Sequence, residues 1–463
     1  MEINLKNNID LSNVKKIHFI GIGGISMSGI AQILLSKGYM VSGSDRSSST
    51  VTQKLESLGA FISYGQCKEN ITDDIDLVIY TAAIHPDNEE YAEAVKKNIP
   101  MMVRGDFLGI IMKHYNNAIG VSGTHGKTTT TSMLGHILLA GNTDPTIMVG
   151  GMLPAINGNI RIGNSQTFVT EACEYTNSFL AFNPSMEIIL NVKEDHMDFF
   201  KDLDDIRLSF RKFVMRLPEN GTLIINGDID DYTYFYQGLS CNVITFGHDS
   251  SNNYYAENII YDEFARPTYD LMYNGKKINT ITLSVPGEHN VYNSLAAIAA
   301  SMALSIPVSS IKKGLLDFNG TDRRFQIKGQ FNGVTVIDDY AHHPDEIAAT
   351  LSTVKKYPHN KVWCIFQPHT FTRTKAFLHD FASSLSVADN IILADIYPAR
   401  ETDNLGISSL TLQDEIKPLN NNCYYFPSFS EISDFLKKSC SQGDIVITMG
   451  AGDVVNIGDL LLS

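Results

Sequence analysis

The feature that most constrains this chain lies at residues 118–139. An apolar run, Ala118-Ile119-Gly120-Val121, meets Ser122-Gly123-Thr124-His125-Gly126-Lys127-Thr128-Thr129-Thr130-Thr131, and a helical pattern follows over 133–139. A strand that feeds a glycine-bounded loop and then a helix turns a row of backbone N–H groups toward one point. That arrangement suits phosphate oxygens. Lys127 is then placed to carry charge to the outer phosphates, and the Thr128 hydroxyl to ligate Mg²⁺. The strict form of such a loop begins with a glycine where this chain has Val121. The pattern nonetheless requires an α/β unit and makes ATP the expected nucleotide.

The same grammar recurs along the chain. Residues 17–20 run into Gly21 and residues 77–80 into Thr81, each as a β-rich stretch, a small-residue turn and a helical stretch. Alternation of this kind predicts parallel sheets with helices on their faces. Polar seams fall at 112–117 and 319–323, so the 463 residues divide into three units of ordinary domain size. Residues 223–283 are richer in β-formers and aromatics and read as a strand-rich insertion in the middle unit.

The first glycine loop is Gly21-Ile22-Gly23-Gly24-Ile25-Ser26, with a second strand at 39–41 leading to Asp45. Glycines let the backbone approach a pyrophosphate at a helix N-terminus, and an acid after the second strand often reads a ribose. Ser26 stands where the third glycine of G-x-G-x-x-G belongs. From these residues alone a nicotinamide dinucleotide is the first reading of this loop.

Two acidic clusters follow the second loop. One strand ends at Glu171-Ala172-Cys173-Glu174, and the next at Glu194-Asp195-His196-Met197-Asp198. Acids and a histidine at successive strand ends suit a metal held against phosphates, although Mg²⁺ prefers oxygen to imidazole. The bland alternative for residues 195–198 is a helix N-cap. Beyond residue 320, four strands deliver polar or glycine residues to one sheet edge. They end in Asp338-Asp339-Tyr340-Ala341-His342-His343-Pro344, in Gln367 through Arg373, in Asp395 through Glu401 and in Gly450 through Asp453. Ligands bind α/β sheets at that edge.

Composition removes other classes. The net charge of −15 argues against a nucleic-acid-coating surface, yet leaves room for small anions held by a few cations and amides. The six cysteines are scattered and form no C-x-x-C pair, which fits a reducing compartment. Residues 1–10 are polar, without the apolar core of an export signal, and no apolar run reaches the ~18 residues of a membrane span. A cytoplasmic location without membrane insertion is the expectation.

The motifs occur in a telling order: His18 through Gly24, Gly123 through Thr130, Glu194 through Asp198, Gly287-Glu288-His289-Asn290-Val291-Tyr292-Asn293, Arg323-Arg324-Phe325, Asp338 through Pro344, and Gln367 through Arg373. In that order they resemble the Mur ligases of peptidoglycan synthesis, over nearly the whole chain. The resemblance implies a Rossmann-like UDP-binding domain, a P-loop ATPase-type central domain and a Rossmann-like C-terminal domain. With the seams, these span 1–114, 115–321 and 322–463.

The resemblance also reassigns the first loop, from a dinucleotide to the pyrophosphate of a UDP-sugar. Gly21, Gly23, Gly24, Asp45 and Arg104 are then expected at that substrate. Gly123, Thr124, His125, Gly126, Lys127, Thr128 and Thr129 are expected at ATP, with Asn290 and Asn293 near adenine, Arg324 near the phosphates and Asp339 at the ribose. Thr128, Glu171 and His196 are implied for Mg²⁺. Arg373, with Tyr340 and His342 nearby, is implied for the amino-acid substrate. Lys127, Glu171, His196, Arg373 and His342 form the expected catalytic group.

The implied reaction joins L-alanine to UDP-N-acetylmuramate with ATP, in a monomer or homodimer and without nucleic acid. A recycled murein tripeptide is the alternative amine. Departures exist: Cys173 and Thr176 replace two acids of the family pattern, Ala341 replaces a glycine and Thr370 an arginine. Arg211 stands where some relatives carry a carbamylated lysine, so none is expected.

Overall fold

Apolar strands buried on both sides organise the molecule into three sheets. The computed structural model describes residues 11–81 and 83–463, so the N-terminal stretch read as lacking an export signal lies outside the described residues. The first sheet holds β1 (Lys16–Ile20), β2 (Met40–Asp45), β3 (Phe61–Tyr64), β4 (Leu77–Tyr80) and β5 (Met101–Val103), in the order 3-2-1-4-5. All its pairs are parallel. Ile17 through Ile20 are buried without interruption, as a central parallel strand requires. Strand order reverses around β1, so the loop after it opens at the switch point where such sheets take ligands.

The second sheet has ten strands. They are β6 (Asn117–Ser122), β7 (Thr146–Leu153), β8 (Gly158–Arg161), β9 (Thr167–Glu171), β10 (Met186–Ile189), β11 (Thr222–Asn226), β12 (Asn242–Gly247), β13 (Tyr254–Tyr261), β14 (Pro267–Tyr273) and β15 (Lys276–Thr282), in the order 15-14-13-12-11-10-6-9-7-8. Strand β6 is central, between β10 and β9 and parallel to both. The region read as an insertion is instead a continuation of this sheet. Strands β11 and β12 extend its parallel part, and β13 to β15 finish it as an antiparallel meander.

The third sheet holds β16 (Gln326–Phe331), β17 (Val334–Asp339), β18 (Val362–Phe366), β19 (Asn390–Leu393), β20 (Cys423–Tyr425) and β21 (Ile445–Met449), in the order 16-17-21-18-19-20. Only β16 is antiparallel. It escaped the sequence reading because alternate half-exposed residues interrupt its apolar pattern. Three α/β units with parallel sheets thus match the expected fold class. Among the described residues no helix is long and apolar enough to cross a membrane.

Two local expectations change. The helix after the second loop starts at Lys127, not near residue 133. Four consecutive threonines read as loop, but the helix dictated by the loop begins with them. Residues 195–198 cap no helix; the next one, Leu203–Val214, starts at Asp202, whose side chain accepts from Asp205 N.

Candidate functional site

The second loop leaves β6 and enters the helix Lys127–Ala140 through Gly126, which has φ 85°. A Cβ there would sit 2.5 Å from Asn293 Oδ1, so glycine is demanded twice. Asn290 and Asn293 are buried in the first two turns of the helix His289–Ala303, where Asn293 Nδ2 donates to Asn290 Oδ1 at 3.0 Å. The structure thus brings the asparagine pair against the phosphate loop.

Lys127 folds back over its own loop. Its ammonium donates to Gly123 O, to Thr124 O at 3.0 Å and to Glu174 at 3.1 and 3.3 Å. Burial alone would lower its pKa, but Glu174, with Cys173 and Glu171, holds it above the ordinary lysine value. Thr128 Oγ1 donates to Glu171 Oε2 at 3.0 Å, and Glu171 Oε1 accepts from Gly150 N at 2.5 Å. A hydroxyl and a carboxylate side by side form the hard-oxygen donor set that Mg²⁺ prefers. His196 stands beside Glu174 rather than at the Thr128–Glu171 pair, with Nε2 3.9 Å from Glu174 and 3.7 Å from Asp195. Burial lowers its pKa, leaving a neutral ring, and Tyr175 stacks on it at 4.5 Å.

Beyond His196 opens a cavity of about 310 Å³, lined in part by Tyr175, Asp195, His369, Arg373 and Arg400. Arg373 donates through Nε and Nη2 to Asp195 Oδ1 at 3.2 and 2.8 Å, and its Nη1 lies 3.2 Å from His369 Nδ1. Burial would raise Asp195, but Arg373 beside it holds the carboxyl well below its usual range. His342 is half-buried, with Nδ1 2.9 Å from Tyr340 O. Burial pushes its imidazole down to about 3, which makes it a weak base in this arrangement. The Arg324 guanidinium lies over the Tyr340 ring at 5.1 Å and within 3.9 Å of Glu346. Asp339 accepts from Phe325 N at 2.8 Å and from Ala341 N at 2.7 Å, while burial raises it to about 6.

The first loop keeps its own company. Gly23 N donates to Asp45 Oδ2 at 2.8 Å, and a Cβ on Gly23 would strike that same oxygen. Arg104 crosses to the loop and donates to Ser26 Oγ at 2.7 Å. Gly21, Gly24, Asp45 and Arg104 are therefore joined around one switch point. Between the two loops, burial pushes the Cys173 thiol up to about 11 against the pull of Lys127 and Arg104, so it stays neutral.

Sequence reading missed Tyr175, Glu346 and His369 as members of the constellation, and gave Glu174 and Asp195 no role of their own. Glu174 and Asp195 were visible as acids at strand ends. Glu346 sits in the first turn of the helix Pro344–Val354, and only the packing of the third unit on the loop carries it to His125, 3.1 Å away. Arg211, expected to bear no modification, points to Tyr234 O and Gln237 O instead.

Comparison with known proteins yields a consistent set. Residues 16–116 match the Mur ligase family catalytic domain, 121–301 the Mur ligase middle domain and 323–452 the Mur ligase glutamate ligase domain. The chain is 61% identical to a UDP-N-acetylmuramate–L-alanine ligase of Lachnospira eligens, covering 98% of this chain and 99% of that protein. A protein of the same name from Lachnoclostridium phytofermentans is 54% identical, with 98% and 99% covered. The crystal structure of UDP-N-acetylmuramate-alanine ligase from Thermotoga maritima superimposes with a TM-score of 0.82 at 30% identity, covering 96% of this chain and 98% of that one. A murein peptide ligase from Psychrobacter arcticus shares the fold, with a TM-score of 0.71 at 24% identity over 97% and 98% of the two chains.

Proposed function

The chain belongs to the Mur ligase family, and on that premise we propose that it joins L-alanine to UDP-N-acetylmuramate with ATP, in the synthesis of a peptidoglycan precursor. One observation supports this reading above the others. The phosphate loop and the Arg373 cavity share a wall, because Lys127 and His196 both stand beside Glu174. A phosphoryl donor and an amine acceptor can therefore meet at one carboxylate.

The chemistry follows from the reactants. A carboxylate resists amines because its leaving group would be oxide. Transfer of the terminal phosphoryl group of ATP to the carboxylate oxygen gives an acyl phosphate and ADP. The amine then attacks the acyl carbon, the tetrahedral adduct collapses, phosphate departs with the C–O electron pair, and the amine gives up a proton. In-line transfer needs alignment and charge neutralisation more than covalent help. We assign alignment to the amides of residues 123–129 and charge neutralisation to Lys127. Thr128, Glu171 and His196 would hold Mg²⁺, which when bound neutralises phosphate charge.

Asn290 and Asn293 are assigned to adenine, Arg324 to the phosphates and Asp339 to the ribose. Gly21, Gly23, Gly24, Asp45 and Arg104 are assigned to the UDP moiety. Arg373 is assigned to the alanine carboxylate, beside Tyr340. His342, too weak a base here for an ammonium proton, is assigned to orienting the amine. We place the domain limits at 1–114, 115–321 and 322–463, a division supported by one sheet in each. The working unit is a monomer or homodimer in the cytoplasm.

The test is phosphate release with UDP-N-acetylmuramate and ATP, offering L-alanine, glycine, L-serine or the murein tripeptide separately. L-alanine should give the highest kcat/KM. Turnover with the tripeptide alone would overturn the reading.

A further inference from the structure

We propose that His125, His343 and Asp345 form a site for a transition-metal ion of the zinc class, tying the third unit to the phosphate loop. One donor atom of each residue lies within 4.8 Å of the other two. The assignment does not depend on the proposed ligation reaction.

The hydrogen bonds around the two rings leave the inner lone pair of His125 free and engage that of His343 through one long backbone contact. His125 Nδ1 lies 3.1 Å from Glu346 Oε1, so it carries the proton and donates. Nε2 of the same ring is then a bare acceptor, and it is buried with no hydrogen-bond partner. A buried polar atom without a partner costs about 1–3 kcal/mol unless something supplies the missing bond. His343 has the other tautomer: its Nε2 donates to Glu194 O at 3.1 Å. Its Nδ1 accepts the Asp345 N–H at 3.3 Å and caps the helix, the longest bond in this group and the one an ion would displace. An outer N–H given to a carboxylate or backbone carbonyl is the mark of a metal-binding imidazole, because it fixes the tautomer and aims the other nitrogen. Burial also lowers the His343 pKa, keeping the neutral form that a metal requires.

Two imidazoles and a carboxylate, with a water to complete four, suit Zn²⁺ and not Mg²⁺, which takes oxygen. Asp345 Oδ2 now pairs with Lys193 at 2.6 Å, an exposed contact that water can replace. None of the three residues belongs to the set assigned to Mg²⁺. His125 lies in the phosphate loop, whereas His343 and Asp345 open the helix Pro344–Val354 of the third unit. An ion there would hold those two parts together.

The experiment uses metal-stripped, nucleotide-free full-length protein titrated with Co²⁺, whose visible absorption is strong in tetrahedral sites. One saturable equivalent should appear, be displaced by Zn²⁺ and survive excess Mg²⁺. His125→Asn and Asp345→Asn should each weaken Co²⁺ binding at least tenfold, while His196→Asn leaves it unchanged. Wild-type affinity in His125→Asn, or loss of the band in His196→Asn alone, would overturn the assignment. If His125→Asn does not fold, Asp345→Asn, which alters an exposed side chain, decides in the same way.

Discussion

Lys127 and Glu174 face each other beside the phosphate loop, with Nζ 3.1 Å from Oε2. The contact occupies the charge that nucleotide phosphates would claim. On the proposed assignment, ATP would substitute its own oxygens for a carboxylate already in place, which makes nucleotide entry an exchange of partners.

Lys127→Ala is expected to abolish ligation while the far-UV circular dichroism spectrum stays native. Loss of one charge-stabilising group at a transferring centre costs roughly 10²–10³ in kcat, and Lys127 is proposed as the main such group here. Steady-state phosphate release measures it, and a residual rate above a tenth of wild type would remove the assigned role.

Gly126→Ala tests the loop backbone. At φ 85° an alanine is strained, and its Cβ would press on Asn293 Oδ1. Strain of about 1–3 kcal/mol is expected in the denaturant midpoint, with a rise in KM for ATP and little change in KM for alanine. An equal rise for both substrates would mean that the loop serves more than the nucleotide.

Arg373→Lys keeps the charge but removes the planar fork that holds Asp195 through two nitrogens. KM for L-alanine should rise at least tenfold with KM for ATP nearly constant. Isothermal titration of ATP into the variant separates a binding defect from a folding one.

Much of this was legible because parallel strands and phosphate loops write themselves locally. Residues 17–20 and 118–121 are mostly apolar runs that lead into Gly21 and into Ser122-Gly123, so both loops could be placed from the sequence. The helix start at Lys127 was hidden by β-branched threonines, whose weak helix propensity is overridden by the loop that precedes them. The partners of Arg373 and His125 were hidden for a different reason. Asp195 lies 178 residues from Arg373 and Glu346 221 residues from His125, and no local pattern encodes contacts that form only when separate units pack.

Around the site, the contacts that join the second and third units include Lys193–Asp345, Arg373–Asp195 and His125–Glu346, all between charged or ring-polar groups, whereas Phe264 on Tyr357 supplies an apolar contact elsewhere on the seam. Parting an apolar contact exposes hydrocarbon to water. Each polar pair can instead be given up to an equivalent one with solvent or with an incoming anion. The pairs are place-holders for reactants, so that no charge beside the site stands bare before they arrive.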